Sequence, residues 1–439
     1  MKTGMGKTSV FILITVFFTF MYYLRTISNK TKINIQTYYC FDNDMNTNNN
    51  TQHIPNVFKS YGLKPAKNYD QADLLFTSIH DHFFKLVTIE HVQKCKYIYG
   101  LRCINLFASK STLPMIVPSE IVPKTWILHK KTHKDDLLKH FKNNKPTKQL
   151  LLKSNVQRQT GLKIVTHKND VLNHEKYVVC QEILQNPFLV NNRKIDIRIY
   201  VLIICDQYKA NMFIFNDGFI YYTKNEYTKN ESTKNESTND NESTKNEYTK
   251  NESTNDNESA NDNESTNDNE STKNEYTKNE STNDNESAND NESTNDNEST
   301  NDNESTKIDK DSIISSGYID RKIYDENPLT LQNLYVYLGK SKEEKLKKSI
   351  RDCFHVVFHS YYPYLKRNDI NDGVDRFIIM GADVSPDHNL NVKLLEMNKG
   401  PDLKAKDDRD RAVKEKLVHE CINLLKSRDD SNDFFTKII

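Results

Sequence analysis

The spacing of apolar residues predicts a body rich in strands. Between residues 149 and 222, five apolar runs of β type follow one another, at 150–153, 162–165, 177–184, 195–205 and 212–215. Two shorter runs, at 72–78 and 96–99, come earlier in the chain. Because the runs are short and separated by polar residues, they indicate sheets whose strands lie close together in sequence.

Helical spacing appears after residue 340. In the segment 341–365, apolar residues recur at steps of three and four, and Lys and Glu fill the other positions. This predicts a helix with one buried face, formed by Leu346, Ile350, Phe354, Val357, Phe358 and Tyr361. Two strands follow, at 375–383 and 390–397, with Ser385, Pro386 and Asp387 in the predicted turn. An amphipathic helix at 411–425 closes the pattern.

The pattern is interrupted from 223 to 307, where the chain is built from TKNE, STNDNE and SANDNE units. Such a stretch cannot bury enough apolar surface to offset its ordering entropy, so we predict a disordered insert. It holds 8 Lys against 23 acidic residues, which leaves 53 basic and 38 acidic residues elsewhere. A basic folded body suits an anionic ligand, an acidic protein tail, nucleic acid or a membrane surface.

The N-terminal sequence and the cysteines indicate in which cellular compartment the protein lies. The apolar run 10–24 has 15 residues, short of the roughly 20 that a membrane-spanning helix needs. It fits a signal segment or a short anchor, and basic residues on both sides leave its orientation open. Seven irregularly spaced cysteines without a CxxC pair argue against a disulfide scaffold or a zinc ribbon. We therefore expect a reducing compartment.

Charged residues alternate with isoleucines in NNRKIDIRIYVLI. Lys194, Asp196 and Arg198 fall on one face of the predicted strand and the isoleucines on the other. That polar face either lines a cleft or forms an exposed ion-pair ladder on an edge strand. Earlier, Lys153 ends a strand and Arg158 follows in a polar loop, where both could bind phosphates. A plain basic hairpin would give the same pattern.

Oxygen-bearing side chains meet at two predicted strands near the C-terminus. Asp383 ends the first strand, and Glu396 and Asn398 lie two residues apart on the second, so they face the same way. Carboxylate and amide oxygens are ligands that Mg²⁺ takes together with phosphate oxygens. The alternative is a set of surface carboxylates at strand ends.

These segments together resemble the tubulin–tyrosine ligase-like family, over about 150–222 and 375–425. The closest likeness lies in VVCQEILQNPFLVNNRKIDIRIYVLI. The resemblance implies an α/β (α+β) fold of ATP-grasp type, with antiparallel sheets and flanking helices. It also implies an enzyme that uses ATP and Mg²⁺ to join glutamate, tyrosine or glycine to a protein carboxylate, through an acyl phosphate. Tubulin or another acidic protein tail would be the acceptor.

The resemblance also assigns residues. Nucleotide-binding residues would be Lys153 at the phosphates, Gln181, Glu182, Ile183 and Leu184 beside adenine, and Lys194 and Asp196. Catalytic residues at the γ-phosphate and the acceptor carboxylate would be Arg158 and Arg198. The magnesium ligands would be Asp383, Glu396 and Asn398, and Lys414 would hold the carboxylate of the free amino acid.

The predicted organisation has four parts. Residues 1–30 form the apolar segment, 31–145 a small N-terminal α/β region, 146–222 plus 308–428 the ligase domain, and 223–307 the insert. The expected location is cytoplasmic and cytoskeletal, with a membrane tether through 10–24 left open. We expect no nucleic acid partner.

Three features depart from the family. Glu182 and Ile183 stand where Lys or Arg and then Tyr are usual, Tyr221 stands where Arg is usual, and the HLTN segment is absent. These departures keep open a nucleotide-binding or tubulin-binding pseudoenzyme. A membrane protein whose folded part only scaffolds is a third alternative.

Overall fold

The computed structural model describes residues 34–40, 53–76, 95–155, 161–173, 175–227, 309–370, 373–428 and 433–439. All of these residues belong to one compact unit. The N-terminal apolar run, Arg158 and nearly all of the insert lie outside the described residues. The predictions made for them, and the division of the chain into domains, therefore stay predictions.

The strands occupy most of the predicted apolar runs. The first ten are β1 (Thr37–Cys40), β2 (Lys64–Pro65), β3 (Leu74–Phe76), β4 (Tyr97–Tyr99), β5 (Thr125–Ile127), β6 (Phe141–Lys142), β7 (Lys145–Pro146), β8 (Leu150–Lys153), β9 (Leu162–Ile164) and β10 (Val179–Glu182). The later ones are β11 (Leu189–Val190), β12 (Arg193–Cys205), β13 (Ala210–Thr223), β14 (Ser315–Ser316), β15 (Asp375–Pro386), β16 (Val392–Asn398) and β17 (Phe435–Lys437).

The helices flank these strands. They are α1 (His53–Ser60), α2 (Ile104–Ala108), α3 (Leu113–Ile116), α4 (Lys131–Leu138), α5 (Lys168–Leu172), α6 (Ile323–Glu326), α7 (Leu331–Leu338), α8 (Lys340–Asn368) and α9 (Asp408–Ser427). None of the described helices is both long and apolar enough to span a membrane.

Two sheets organise the fold. The large sheet has the order β14-β13-β12-β15-β4-β3-β1-β2, and β11, β16 and β17 pair beside this path. Strands β12, β13, β15 and β16 pair antiparallel, whereas β15 and the N-terminal strands β4, β3, β1 and β2 pair parallel. The N-terminal strands thus extend the sheet that carries β12 and β15. The second sheet has the order β5-β10-β8-β9.

The mixed α/β fold with antiparallel sheets and flanking helices is confirmed. The three isoleucines that alternate with charges in β12 are fully buried, as their face of the strand predicted. Helix α8 buries the predicted apolar face. Burying each large apolar side chain contributes about 1.5–3 kcal/mol.

The predicted turn after Asp383 is wrong in position. Strand β15 continues past Asp383 to Pro386, because Ser385 and Pro386 still pair with Lys393 and Val392 of β16. The turn itself lies at 387–391, where the side chain of Asp387 accepts hydrogen bonds from the backbone of Asn389 and Asn391. Asp383 is therefore an interior strand residue, which fixes its side chain more firmly than a strand end would.

Candidate active site

A cavity of about 720 Å³ opens between the large and the small sheet. It is lined by every predicted site residue within the described part of the chain. These are Lys153, Gln181, Glu182, Ile183, Leu184, Lys194, Asp196, Arg198, Asp383, Glu396, Asn398 and Lys414. Arg158 lies outside the described residues. The structure thus brings the predicted residues together, and the role of each stays a prediction.

Strand register places three charged side chains in one row. Arg198 of β12 pairs with Asp383 of β15, and Asp383 pairs with Glu396 of β16. Residues directly opposite one another on adjacent strands point to the same face. Since β12 is paired on both sides, by β13 and β15, the edge-strand alternative is excluded.

Arg198 and Asp383 form a bidentate ion pair. The Arg198 Nε lies 2.5 Å from Asp383 Oδ1, and Nη2 lies 2.9 Å from Oδ2. Both side chains are 13% exposed. Burial raises the pKa of Asp383 to about 6, although the neighbouring guanidinium acts in the opposite direction. Burial also acts against the charge of Arg198, but the Asp383 carboxylate outweighs it and raises the pKa of the guanidinium.

Lys153 and Glu396 enter the cavity from different sheets. Burial lowers the pKa of Lys153, and Glu396 is the strongest charge that opposes this effect. For Glu396, burial acts to raise the pKa. The charge of Lys153 and a hydrogen bond from Asn398 outweigh it, so the pKa lies below its ordinary value. Lys153 is therefore buried at the cavity wall, where β8 pairs with β9, and not on an exposed hairpin.

The donor set near Glu396 suits a hard divalent cation. Asn398 Nδ2 donates to Glu396 Oε1 over 3.1 Å, which leaves the amide oxygen of Asn398 as a potential ligand. Together with Asp383 this gives two carboxylates and one amide oxygen, a set that fits Mg²⁺ when phosphate oxygens complete the coordination. Within the described ranges, no group of three or more His, Cys, Asp or Glu could hold a metal by itself.

Lys194 and Asp196 form a second buried pair on β12. The Lys194 Nζ lies 3.1 and 3.2 Å from the two carboxylate oxygens of Asp196. Ser315 of β14 also donates to Asp196. The strand therefore carries adjacent ion pairs at the cavity wall, which hold their charged groups in fixed positions.

The residues predicted to lie beside adenine, 181–184, occupy the end of β10 and the two positions after it. The Gln181 Nε2 donates to Thr125 Oγ1 over 2.9 Å. Glu182 turns its carboxylate to Lys148, whose Nζ lies 3.0 Å from Oε1. The acidic residue that stands where the family usually has Lys or Arg is thus paired with Lys148 in the segment between β7 and β8.

Lys414 lies on α9 and is buried. Its Nζ donates to Asp410 Oδ2 over 3.0 Å and to the carbonyl of Lys404 over 2.6 Å. Asp407 caps the N-terminus of helix α9, and its side chain accepts hydrogen bonds from the backbone of Asp410 and from Arg321. Lys414 is therefore held rigidly at one end of the cavity.

Tyr221 takes a defined place beside Arg198. The guanidinium carbon lies 5.3 Å from the centre of the Tyr221 ring. A Cβ atom on Gly317 would stand 2.9 Å from Cε1 of that ring. Glycine at 317 therefore makes room for the aromatic residue that stands where the family usually has Arg.

Sequence reasoning missed several residues of the cavity wall. Lys110, in the loop between α2 and α3, lines the cavity, and its charge acts on both Lys153 and Glu396. Ser315 and Asp410 of the wall were also missed, as was Thr125, which bonds to Gln181 from β5 but does not line the cavity. Lys110 lies in an irregular segment and Thr125 opens the three-residue strand β5, so no periodic pattern marks either residue.

A cavity between a small antiparallel sheet and a large mixed sheet, with Lys153 on the small sheet and buried ion pairs on the large one, is the arrangement of an ATP-grasp type of fold. The particular family follows from the sequence. The model of the tubulin-tyrosine ligase family matches residues 81–305 and 297–433, and the chain belongs to this family.

Three relatives share a low sequence identity with this chain. The chain is 26% identical over 145 residues to the human "Tubulin polyglutamylase TTLL7", covering 31% of this chain and 16% of that protein. The Xenopus tropicalis protein of the same name is 26% identical over 160 residues, covering 34% and 17%. The Danio rerio "Tubulin polyglutamylase ttll6" is 23% identical over 184 residues, covering 40% and 23%. The chain thus spans less than a quarter of the length of each of these relatives.

Proposed function

We propose that this chain is an ATP- and Mg²⁺-dependent ligase that joins glutamate to a carboxylate of a protein, with the acidic tail of tubulin as the acceptor. The observation that carries the proposal is the row of Arg198, Asp383 and Glu396 across three adjacent strands, with Lys153 in the same cavity. Glutamate is chosen over tyrosine or glycine because the relatives named above are polyglutamylases.

Different residues would bind different parts of the nucleotide and the Mg²⁺ ion. Lys153 would hold phosphate oxygens, Lys194 and Asp196 the nucleotide, and 181–184 the base. Mg²⁺ would be held by Asp383, Glu396 and Asn398, and when bound it would neutralise charge on the transferred phosphoryl group. Arg158 stays a predicted partner of the γ-phosphate.

The chemistry needs two steps. An oxygen of the acceptor carboxylate attacks the γ-phosphorus, and the bond to the ADP oxygen breaks, which leaves an acyl phosphate. The amine nitrogen of glutamate then attacks the acyl carbon, phosphate leaves, and the amine gives up a proton. Arg198 and Lys153 would stabilise the negative charge that spreads in both steps. No side-chain nucleophile is required.

Charge supports an acidic acceptor. Outside the insert, basic residues exceed acidic ones, 53 to 38. A positive body attracts an acidic tail and speeds encounter. A location at microtubules in the cytoplasm belongs to the same proposal.

The test is incorporation of labelled glutamate, tyrosine or glycine, each offered separately with microtubules, ATP and Mg²⁺. We expect label only with glutamate, and none when the full chain carries Glu396→Gln. No incorporation of any amino acid by a protein that still binds ATP would contradict the proposal.

The second candidate is a nucleotide-binding or tubulin-binding pseudoenzyme. The observation that favours it is Tyr221, whose ring occupies the place beside Arg198 where the family usually has a second cation. The same incorporation test separates the two, because a pseudoenzyme binds ATP without transferring label.

A further inference from the structure

Two histidine rings converge on the exposed face of α8. His355 and His359 lie four residues apart, so the helix places one above the other. Their Nε2 atoms are 3.3 Å apart and their ring centres 4.4 Å apart. Both residues are exposed, and neither lines the cavity described above. The pair is therefore open to a ligand from solvent at a place remote from the candidate active site.

Helix α8 holds the two rings in place. Phe354 and Phe358, which precede the two histidines in sequence, are buried in the core. The backbone nitrogen of Val392 donates to Ser349 Oγ over 2.9 Å, which joins the helix to β16. The rings thus project from a fixed backbone, and little backbone freedom remains to be lost when they bind a ligand.

The two nitrogens that converge can act together. A neutral imidazole has one donor and one acceptor nitrogen. With no ligand, one Nε2–H donates to the other Nε2. When both rings carry their proton on Nδ1, both Nε2 atoms are acceptors and can share one cation. Neutral imidazole is the commonest ligand that proteins offer to transition metals.

The separation of the two nitrogens matches a tetrahedral metal ion. Zn²⁺ binds an imidazole nitrogen at about 2.0–2.1 Å. Two such bonds to nitrogens 3.3 Å apart enclose an angle of about 104–111°, which includes the tetrahedral angle of about 109°. An ion that binds its ligands at right angles would need nitrogens about 2.9 Å apart. The geometry therefore fits Zn²⁺ without movement of the rings.

We propose that His355 and His359 form a bidentate Zn²⁺ site on the surface of α8. Within the part of the chain that the structure describes, no third His, Cys, Asp or Glu completes such a group, so water molecules would fill the other positions. Asp352 lies one turn earlier, but its carboxylate pairs with Lys348. Mg²⁺ would not compete, because it takes oxygen ligands. The proposal does not rest on the proposed function.

The bound ion would stabilise one turn of α8. It bridges two rings that the folded helix holds together and that the unfolded chain does not. A ligand that prefers the folded chain shifts the equilibrium towards it. Because α8 is joined to β16, the stabilised turn belongs to the helix that supports this strand.

Calorimetric titration of the full chain with ZnCl₂, in the presence of excess Mg²⁺, measures the site. Six of the seven cysteines are buried in the folded chain, which limits binding through thiolates. A second ring held beside the first raises affinity by about 10²–10⁴ over one ring alone. We therefore expect His355→Gln and His359→Gln each to weaken Zn²⁺ binding by about 100-fold or more. The double variant should lose the same binding step and no other.

His388→Gln is the matched control. His388 is also exposed, but it lies in the turn at 387–391, where its ring contacts Asn389. This variant should bind Zn²⁺ as the unaltered chain does. Unchanged Zn²⁺ affinity in either His355→Gln or His359→Gln would overturn the proposal, as would the lack of Zn²⁺ binding by the unaltered chain. Both results would leave the proposed ligase function as it stands.

Discussion

Lys153 and Glu396 come from different sheets, and each is the strongest charged neighbour acting on the pKa of the other. Lys153 ends β8 in the small sheet, and Glu396 lies on β16 in the large sheet. Burial works against both charges, and the charge of each partner opposes that effect. The pair therefore couples the two walls of the cavity at the position proposed for the phosphates and Mg²⁺.

Replacing Lys153 should weaken nucleotide binding. We expect Lys153→Met to lower ATP affinity by about tenfold or more, because a charge-assisted hydrogen bond to phosphate contributes about 1.5–3 kcal/mol. Lys163→Met is the control, since Lys163 lies one strand away and is half exposed. Titration of both variants with ATP in the presence of Mg²⁺ gives the two affinities. Equal affinities would remove Lys153 from the phosphate site.

The Arg198–Asp383 pair predicts a stability effect that can be measured without turnover. Arg198→Met leaves the buried Asp383 carboxylate without its partner, which costs about 3–5 kcal/mol in comparable pairs. Adding Asp383→Asn removes the uncompensated charge and should recover part of that loss. Urea unfolding at neutral pH gives the free energies. If the double variant is no more stable than Arg198→Met, an uncompensated Asp383 charge is not the cause of the lost stability.

Gly317 and Tyr221 should be energetically coupled. Gly317→Ala places a methyl group against the Tyr221 ring, and overpacking of this kind costs about 1–3 kcal/mol. In a Tyr221→Leu background the same substitution should cost less than about 0.5 kcal/mol, because the clashing ring atoms are gone. The double-mutant cycle is followed by thermal unfolding. Additive losses would show that the two residues do not share this space.

The structure also predicts that the insert can be replaced. Asn225 donates to the backbone of Asp311 over 3.0 Å and to the Asp309 side chain over 2.8 Å, so the described residues before 228 and after 308 are joined directly. Replacing residues 228–308 by a short Gly/Ser linker should therefore change the free energy of unfolding by less than about 1 kcal/mol, since loop-closure entropy depends weakly on length. A loss of several kcal/mol would mean that the insert contributes to the fold.

Lys414 is predicted to bind the amino acid and not the nucleotide. Because removing Lys414 alone would leave Asp410 as an unpaired buried charge, the suitable variant is Lys414→Met with Asp410→Asn. We expect the KM for glutamate to rise by about tenfold or more, while ATP affinity in direct titration stays unchanged. A parallel loss of ATP affinity would contradict this assignment.

Alternation of side chains was enough to predict β12. Its charged residues and isoleucines occupy opposite faces, and the period of two is a local property of an extended chain. The same local reasoning predicted the buried face of α8. It did not show that β12 lies in the interior of a sheet, because strand order depends on pairing between segments far apart in sequence.

Residues that act through distant partners could not be predicted. Thr125 matters because β5 pairs with β10, and Lys110 because its loop reaches the cavity from the N-terminal part of the chain. The extension of β15 past Asp383 was missed because Ser385 and Pro386 favour turns in isolation. Pairing with β16 overrides that preference.

The most direct test of the central claim follows the oxygen atoms of the acceptor. A glutamate-rich tubulin-tail peptide labelled with ¹⁸O in its side-chain carboxylates is incubated with the full chain, glutamate, ATP and Mg²⁺, and the released phosphate is analysed by mass spectrometry. An acyl phosphate transfers one carboxylate oxygen to phosphate, so we predict one ¹⁸O per phosphate released in ligation. Ligation that releases only unlabelled phosphate, or no ligation by a protein that binds ATP, would contradict the account.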